Sequence, residues 1–365
     1  MLGLARYFLY LGSTGFGGPL VLIELMRRQY VIKEQKISAV EFDQVFALVK
    51  AMPGPVAFQM AVFLGQRFFG FRGGLVAGVC LLLPAFILML LAGLFYTSFV
   101  QIEAVNTVMR GLLYAASAVI LFSLKNLIFT NKKFFLFWFF LGLNLPLFWF
   151  HVLPEPALII LFGLLAVVAG RMRPTAQLMS VSFLLVDFDK VVQVFKICAY
   201  AGAFVFGTGF ALIPVLKTNL VDLHPFVTLK EFNDGVIFGQ MTPGPITITT
   251  AFLGYQISGF IGALAATIGV FLFPFIHMVT WFPKAIGWLT KQSWIVPFVM
   301  GATSAVVAGI VMTVLQMNLE SFVHASFWII FAVTSARLFF RPKTSVILIF
   351  VFAGLAEYLL SMVMS

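Results

Sequence analysis

Two short stretches, "MPGP" at Met52–Pro55 and "TPGP" at Thr242–Pro245, decide the fold of this chain. They lie 190 residues apart, each inside a hydrophobic segment that is otherwise typical of a helix. Proline removes a backbone donor and clashes with the preceding turn, so each stretch must interrupt that helix. A lone break of this kind is more often a packing device, whereas two at equivalent places indicate a site.

The composition is that of a membrane protein. Of 365 residues, 62% are hydrophobic, 10% are charged and 45 are Phe. This leaves too little polar surface to cover a water-soluble fold of this size. Apolar runs of about 20 residues recur along the chain, as a hydrocarbon core about 30 Å thick requires. The sequence therefore predicts an all-α polytopic protein in a lipid bilayer, and we expect no signal peptide.

Other classes find little support in the sequence. Cys80 and Cys198 stand alone in apolar segments, so neither a disulfide nor a metal site is indicated. The net charge of +10 comes from basic residues scattered in short loops, without an aromatic-interleaved patch. We therefore expect no nucleic-acid partner and no cofactor.

The chain repeats itself. At an offset of 190 residues, "YLGSTGFGGPLVLIE" from Tyr10 aligns with "YAGAFVFGTGFALIP" from Tyr200, and the two Pro-Gly-Pro motifs coincide. After a slip of one residue, "FLGQRFFGFRGG" at Phe63 meets "FLGYQISGFIGA" at Phe252. This pattern predicts a tandem duplication. The expected parts are an N-terminal repeat at 1–170, a cytoplasmic linker at 171–190 and a C-terminal repeat at 191–365.

Each half is predicted to hold five spans and one broken element. The spans are placed at about 4–25, 73–99, 104–124, 134–150 and 156–170, and at about 191–216, 261–283, 293–316, 322–339 and 345–363. The broken elements, 38–70 and 228–259, each begin with a capping box, at Ser38–Glu41 and Thr228–Glu231. Two arms too short to span predict a re-entrant helical hairpin with a Pro-Gly-Pro tip.

An odd number of spans per repeat predicts that the two repeats have opposite orientations. With that topology, 18 of the 23 Lys and Arg residues fall on one side of the membrane. The positive-inside rule assigns that side to the cytoplasm, which places both termini outside.

Inverted hairpins would bring their tips together near the membrane midplane. The second arms are expected to start at Val56–Phe58 and Ile246–Ile248 and to present free amides, an arrangement that attracts anions, and Pro55 and Pro245 suit first helical positions there. The "FGGP" at Phe16–Pro19 and the "FGTG" at Phe206–Gly209 interrupt the first spans and are expected to pack on the tips. The candidate substrate-binding residues are Gly17, Gly18, Lys50, Pro53, Gly54, Pro55, Val56, Ala57, Gln59, Gly207, Thr208, Gly209, Thr242, Pro243, Gly244, Pro245, Thr247 and Thr249.

The polar side chains near the tips favour an oxyanion, although each has a second explanation. Gln59 and the threonines, including Thr250, can donate hydrogen bonds to oxygen, and Lys50 brings a cation whose repeat equivalent is the neutral Gln240. Lys50 could instead snorkel to an interface, and the threonines could bond their own helices. Arg110 is expected to snorkel.

The acidic residues near the broken elements are the candidates for carrying protons. They are Glu24, Glu41 and Glu231, together with Asp43 and Asp234. Glu41 and Glu231 are also fully explained as capping residues.

The motifs resemble those of the chromate ion transporter (CHR) family, in its two-domain form. The resemblance rests on "GFGGPLVLIELMRRQYV", "MPGPVAFQMAVFLGQRFFGFRGGLVAG", "FGTGFALIPVL" and "GQMTPGPITITTAFLGYQISGFIGALAAT". It implies a bacterial inner-membrane carrier that exports chromate, driven by proton motive force, with sulfate as an analogue. The matching motif residues are Phe16, Gly17, Gly18, Pro19, Pro53, Gly54, Pro55, Gln59, Phe206, Gly207, Gly209, Pro243, Gly244 and Pro245. Many members carry histidine where Leu22 stands and threonine where Phe58 stands.

Three alternatives stay open at this stage: a carrier of another anion such as sulfate, a passive anion channel, and a membrane-embedded enzyme. An enzyme would need clustered carboxylates, histidines or cysteines at the midplane, and the sequence shows none. A homodimeric assembly is also left open.

Overall fold

The computed structural model describes residues 1–131, 135–150, 152–170, 190–204, 209–341 and 344–364. Over these residues the chain forms α-helices joined by short 3-10 and π turns, without a strand. The helices are α1 (Leu2–Thr14), α2 (Pro19–Arg27), α3 (Ala39–Ala51), α4 (Val56–Phe99), α5 (Glu103–Asn131), α6 (Phe135–Trp149), α7 (Glu155–Gly170), α8 (Lys190–Phe204), α9 (Leu212–Lys217), α10 (Leu229–Met241), α11 (Thr249–Val279), α12 (Phe282–Leu289), α13 (Ile295–Met317), α14 (Ala325–Phe340) and α15 (Val346–Met364).

Five of the described helical segments are long and apolar enough to cross a membrane. They are Val56–Phe99, Glu103–Phe129, Ile246–Val279, Ile295–Met317 and Val346–Val363. Three further apolar helices, α6, α7 and α14, are shorter. Large apolar side chains such as Leu94 and Phe352 are exposed, as on a surface that contacts lipid. The chain is therefore a multi-pass helical membrane protein, as its composition predicts.

The expected first span of each half is divided. In place of one helix over 4–25, α1 and α2 are separated by Gly17 and Gly18, whose φ angles are 109° and 84°. A right-handed helix cannot pass through residues with such angles. The expected span 191–216 is likewise shared between α8 and α9, and a 3-10 turn at Gly209–Ala211 leads into α9. Gly17 is exposed and Gly18 is partly buried, so the first of these interruptions lies at the protein surface.

The two longest helices, α4 and α11, are each a tight hairpin of two arms. The reversals fall at Gly70 and Gly259, with φ of 64° and 59°. Two glycines face each other where the arms of each hairpin touch. No other residue fits there, because a Cβ on either glycine would overlap the backbone carbonyl of the other. The pairs are Gly65 with Gly73 and Gly254 with Gly262. Close backbone approach therefore holds the second arm after each Pro-Gly-Pro motif against the long arm that follows.

The same local structures recur in both halves. Helices α3 and α10 begin and end 190 residues apart, and so do the π turns Arg28–Lys33 and Thr218–Leu223. The caps differ, however. At the start of α10 the Thr228 side chain accepts from the Glu231 amide, and the Glu231 carboxylate accepts from the Thr228 amide.

At the start of α3 the expected capping box is only half formed. The Ser38 hydroxyl accepts from the Glu41 amide at 3.1 Å, as predicted. The Glu41 carboxylate turns instead to Arg67 Nε, 3.0 Å away, because a charged donor competes better than a backbone amide.

The long arms of α4 and α11 cross in opposite directions. Near the start of the α4 long arm, the Phe71 ring packs 5.6 Å from Phe275, close to the end of α11. Near the end of α4, Gly93 meets the Tyr255 side chain, just before α11 reverses. The Gln256 side chain donates to the Gly93 carbonyl at 3.2 Å in the same region. These contacts make the two equivalent arms antiparallel.

Candidate anion site at the two Pro-Gly-Pro breaks

Each break contains a glycine in the left-handed region, with φ of 123° at Gly54 and 99° at Gly244. Pro55 and Pro245 are extended, with ψ of 110° and 127°, so they precede the helical arms and do not occupy first helical positions. The first arm starts directly at α4, whereas a 3-10 turn, Ile246–Ile248, precedes α11. The first of these arms therefore starts at Val56, as predicted, and the second begins with a 3-10 turn at Ile246, while the prediction that the prolines take first helical positions is wrong because both adopt the extended backbone of a cap.

The two breaks pack against the opposite halves of the chain. A Cβ on Gly54 would lie 2.8 Å from the ring of Pro274 in α11. A Cβ on Gly244 would lie 3.4 Å from Ala85 in α4. The amide of Gly244 also donates to the carbonyl of Gly15, between α1 and α2, at 3.2 Å. The break between α1 and α2 therefore does pack on a tip, and that tip belongs to the other half.

Three buried polar side chains beside the breaks have atoms without a hydrogen-bond partner among the described residues. They are Oε1 of Gln59, both side-chain polar atoms of Gln240, and Oγ1 of Thr247, with exposures of 0%, 9% and 1%. Gln240 precedes the second break and Thr247 follows it, while Gln59 follows the first. An unsatisfied buried polar group costs about 1–3 kcal/mol, so such groups normally hold water or a ligand. The sequence neighbourhood of each break therefore contains buried polar atoms that no described protein atom satisfies.

Three of the threonine hydroxyls expected to bind substrate donate to their own helices instead. Thr242 donates to the Phe238 carbonyl at 2.8 Å, and Thr249 and Thr250 donate to the carbonyls three residues earlier. Each hydroxyl has only one hydrogen, so these bonds leave it unable to donate to an anion. Of the expected threonines that the structure describes, Thr247 keeps a free hydroxyl.

The other expected binding residues are spread between the interior and the surface. Lys50 is exposed and its Nζ lies 4.1 Å from the Phe46 ring centroid, turned toward an aromatic face. Gly209 packs against Ile246 and Thr247, which joins the 3-10 turn before α9 to the second break. Gly207 and Thr208 lie outside the described residues. The remaining expected positions form the breaks and the first turn after them: Pro53, Gly54, Pro55, Val56, Ala57, Pro243, Gly244 and Pro245.

The three main proton-carrying candidates lie near the surface. Glu24 is exposed, Glu41 is paired with Arg67, and Glu231 completes the cap of α10. The carboxylates that are buried, among the described residues, are those of Glu155, Asp234 and Glu357.

Each buried carboxylate has a partner distant in sequence. Thr218 donates to Glu155, Tyr96 donates to Asp234, and Arg110 lies 3.7 Å from Glu357. Arg110 was expected to snorkel, and half of its side chain is indeed exposed. Its guanidinium also forms an ion pair with Glu357, which the sequence did not predict.

Sequence reasoning underestimated Gln240. It is the repeat equivalent of Lys50, and its lack of charge made it appear secondary. The structure buries it with four hydrogen-bonding positions unused, whereas Lys50 is exposed. The signal that could have found it is its position two residues before the second break.

Broken helices whose breaks pack against the opposite half of the chain are typical of polytopic helical transporters. The chain belongs to the chromate transporter family, since the family described as "Chromate transporter" matches residues 2–170 and 192–358. The resemblance found in the sequence motifs is thereby confirmed.

Curated relatives cover almost the whole chain. It is 31% identical over 364 residues to the chromate transport protein of Cupriavidus metallidurans, covering 94% of this chain and 88% of that protein. It is 29% identical to a probable chromate transport protein of Synechococcus elongatus, covering 96% and 94%. It is 28% identical to the chromate transport protein of Pseudomonas aeruginosa, covering 96% and 90%. No solved structure shows significant similarity to the chain.

Proposed function

We propose that this protein is a secondary active transporter that exports chromate across the bacterial inner membrane and is driven by the proton motive force. The family and the names of three relatives support chromate as the substrate. The observation that carries the proposal is the pair of cross-packed Pro-Gly-Pro breaks beside the unpartnered side chains of Gln59, Gln240 and Thr247. These buried side chains offer polar atoms that no described protein atom uses, so a substrate could bond them without displacing a protein partner.

The proposed topology is two inverted repeats, 1–170 and 191–365, in which the hairpins that contain the breaks are re-entrant. The antiparallel crossing of the equivalent long arms of α4 and α11 supports it. The charge distribution, with 18 of 23 Lys and Arg residues on one side, supports a cytoplasmic location for the loops after α2, α5 and α14 and an outer location for both termini.

A tetrahedral oxyanion would be bound by neutral donors. The second arms offer the free amides of their first turns at Val56 and Ile246, where the helix dipole favours negative charge. Gln240 can donate two hydrogens and Thr247 one, and Gln59 has one left after donating to the Pro53 carbonyl. Binding without a buried cation permits release, because no ion pair has to be broken.

Alternating access would follow from unequal packing of the two hairpins. One face of α3 is exposed along its length, including Gln44 and Lys50. The equivalent positions on α10, Asp234 and Gln240, are buried. This asymmetry supports a state open on the side of α3, which is cytoplasmic in the proposed topology, and closed on the side of α10. Exchanging the two packings would expose the site to the other face.

The second candidate is transport or channel conduction of another anion, such as sulfate. The residue before Gln59 is Phe58, and its ring centroid lies 4.7 Å from that of Phe271, so an aromatic side chain and not a polar one stands there at the first break. The test is counterflow in proteoliposomes loaded with unlabelled chromate or sulfate.

We expect trapped chromate to accelerate uptake of labelled chromate more than trapped sulfate does. Equal stimulation by sulfate would favour the alternative substrate. Flux that trapped anion does not accelerate would indicate a channel and contradict the carrier.

A further inference from the structure

Asp234 is a buried carboxylate that fastens the second hairpin to the first half of the chain. It is 4% exposed and lies on α10, two turns before the Pro-Gly-Pro break. Its Oδ2 accepts from the Tyr96 hydroxyl of α4 at 2.6 Å and from Lys230 Nζ, one turn earlier, at 3.0 Å. The residue before it, Asn233, donates to the Met317 carbonyl at the end of α13 at 3.3 Å. Helix α10 is thus attached to α4 and α13 by polar contacts at one level.

The first hairpin lacks this attachment. The equivalent of Asp234 is Gln44, which is exposed on α3. The neighbouring Asp43 bonds Arg27 of its own half, and more than half of its side chain is exposed. The carboxylate that joins the two halves is therefore present on the packed hairpin alone, among the described residues of α3 and α10.

An open, mostly apolar pocket lies beside the bond between Asp234 and Tyr96. A cavity of about 270 Å³ borders Asp234 and Tyr96, and Phe238, Val105 and Met109 also line it. Half of the Lys230 side chain is exposed, so Asp234 lies one turn below a surface that water can reach. In the proposed topology that surface faces outside.

The charged groups nearest to α10, apart from Lys230, form ion pairs with other residues or cap α10. Elements packed against α10 are α4, α5, α9, α11, α15 and the turn at 246–248, together with the end of α13, which carries no titratable side chain. Arg110 of α5 pairs with Glu357 of α15, and Lys217 of α9 pairs with Asp222. Glu231 caps α10 itself. The remaining titratable groups on these helices are Arg67, Arg72, Cys80, Glu103, Tyr114, Lys125, Tyr255, His277 and Tyr358.

We propose that Asp234 binds the proton that drives transport and that its bond to Tyr96 is the latch of the second hairpin. This assignment rests on the proposed proton-coupled export. One proton from the outer water adds to the Asp234 carboxylate, which then loses its attraction to Lys230 and its strong acceptance from Tyr96. Helix α10 is released, the site opens outward, and the anion leaves. The proton departs to the inner side after the site has turned, which regenerates the ionised carboxylate and the latch.

The test compares exchange with coupled transport in proteoliposomes that contain Asp234→Asn. Exchange of trapped for labelled chromate without a pH gradient requires no proton release, so we expect the variant to retain it. Accumulation of chromate driven by an acidic lumen requires the proton, so we expect the variant to lose it. Glu320→Gln is the control, because Glu320 is exposed in the turn between α13 and α14 and lies on neither hairpin, and it should retain both activities.

A second variant tests the proposal independently if Asp234→Asn fails to insert or fold. Tyr96→Phe keeps the carboxylate but removes a donor that favours its ionised form, so the pH profile of coupled transport should move toward higher pH. Gradient-driven accumulation by Asp234→Asn, or an unchanged pH profile in Tyr96→Phe, would overturn the assignment. Wild-type vesicles that exchange no chromate would refute the proposed function itself.

Discussion

The backbone amide of Gly244 donates a hydrogen bond to the carbonyl oxygen of Gly15, at 3.2 Å, and so joins the second Pro-Gly-Pro break to the interrupted first span of the other half. The two residues are 229 positions apart in sequence. A backbone hydrogen bond between two helical segments of this kind forms only where both segments leave regular helix. The two kinds of break therefore satisfy each other in an interior where water is scarce.

Alanine at the break glycines should reduce transport unequally. Both Gly54→Ala and Gly244→Ala force an L-residue into positive φ, which costs on the order of 1–3 kcal/mol. At Gly54 the new methyl would also meet Gln59 and Pro274, whereas at Gly244 it makes ordinary contact with Ala85. We expect the larger loss of chromate flux, normalised to protein level, in Gly54→Ala.

Gly142→Ala is the control for this pair, because its Cβ would meet nothing within 4 Å. Near-normal flux in both break variants would show that the breaks do not form the site.

Replacing Gln240 by leucine should weaken anion binding without loss of folding. The change removes buried polar atoms that have no protein partner, so the free protein should be as stable as before or more stable. Losing one donor to a charged ligand is worth about 1.5–3 kcal/mol, or about tenfold or more in affinity.

The measurement for Gln240→Leu is the rise in melting temperature of purified protein with added chromate. Gln292→Leu, at a half-exposed position on the connection before α13, provides the control. An undiminished chromate-induced shift in Gln240→Leu would remove this side chain from the site.

The inverted topology predicts opposite accessibility at a matched pair of positions. Phe71 and Phe260 each follow the reversal glycine of their hairpin, and both are 58% exposed. Cysteines placed there, in a chain whose Cys80 and Cys198 have been replaced, should react with an impermeant thiol reagent from opposite faces: position 260 from outside and position 71 from the cytoplasm. Labelling of both from the same face would rule out inversion.

Breaking the Arg110–Glu357 pair should destabilise the protein, whereas Lys50→Met should not. Arg110→Met leaves the Glu357 carboxylate buried without its cation. The loss should fall below the roughly 3–5 kcal/mol of a fully buried pair, because half of the Arg110 side chain is exposed. Lys50 rests over an aromatic ring at an exposed position.

Thermal unfolding in detergent distinguishes the two effects. The double variant Arg110→Met/Glu357→Leu should recover stability relative to Arg110→Met, because it removes the unpaired charge. No recovery would indicate that the arginine stem, and not the charge pair, carries the effect.

The sequence predicted local structure well and distant partnerships poorly. Capping residues and prolines placed the bounds of α3 and α10, because helix ends are determined by a few adjacent residues. The bond between Tyr96 and Asp234 links positions 138 apart, and no local pattern encodes it. The hydrogen-bond acceptors of the Thr242 and Thr249 hydroxyls could be identified only from the structure. Donation to a helix carbonyl and donation to a ligand require the same residue type, so the sequence cannot separate them.

The crossed packing of Gly54 on α11 and Gly244 on α4 has an evolutionary consequence. Neither break packs within its own half alone, so in the proposed inverted topology a polypeptide with one half would need a second copy in the opposite orientation to pack both breaks. Joining both copies in one chain removes the requirement that they be identical. The two halves are then free to diverge, as Gln44 against Asp234 and Lys50 against Gln240 illustrate: the first hairpin has exposed side chains at these positions, whereas the second has a buried carboxylate and a buried amide.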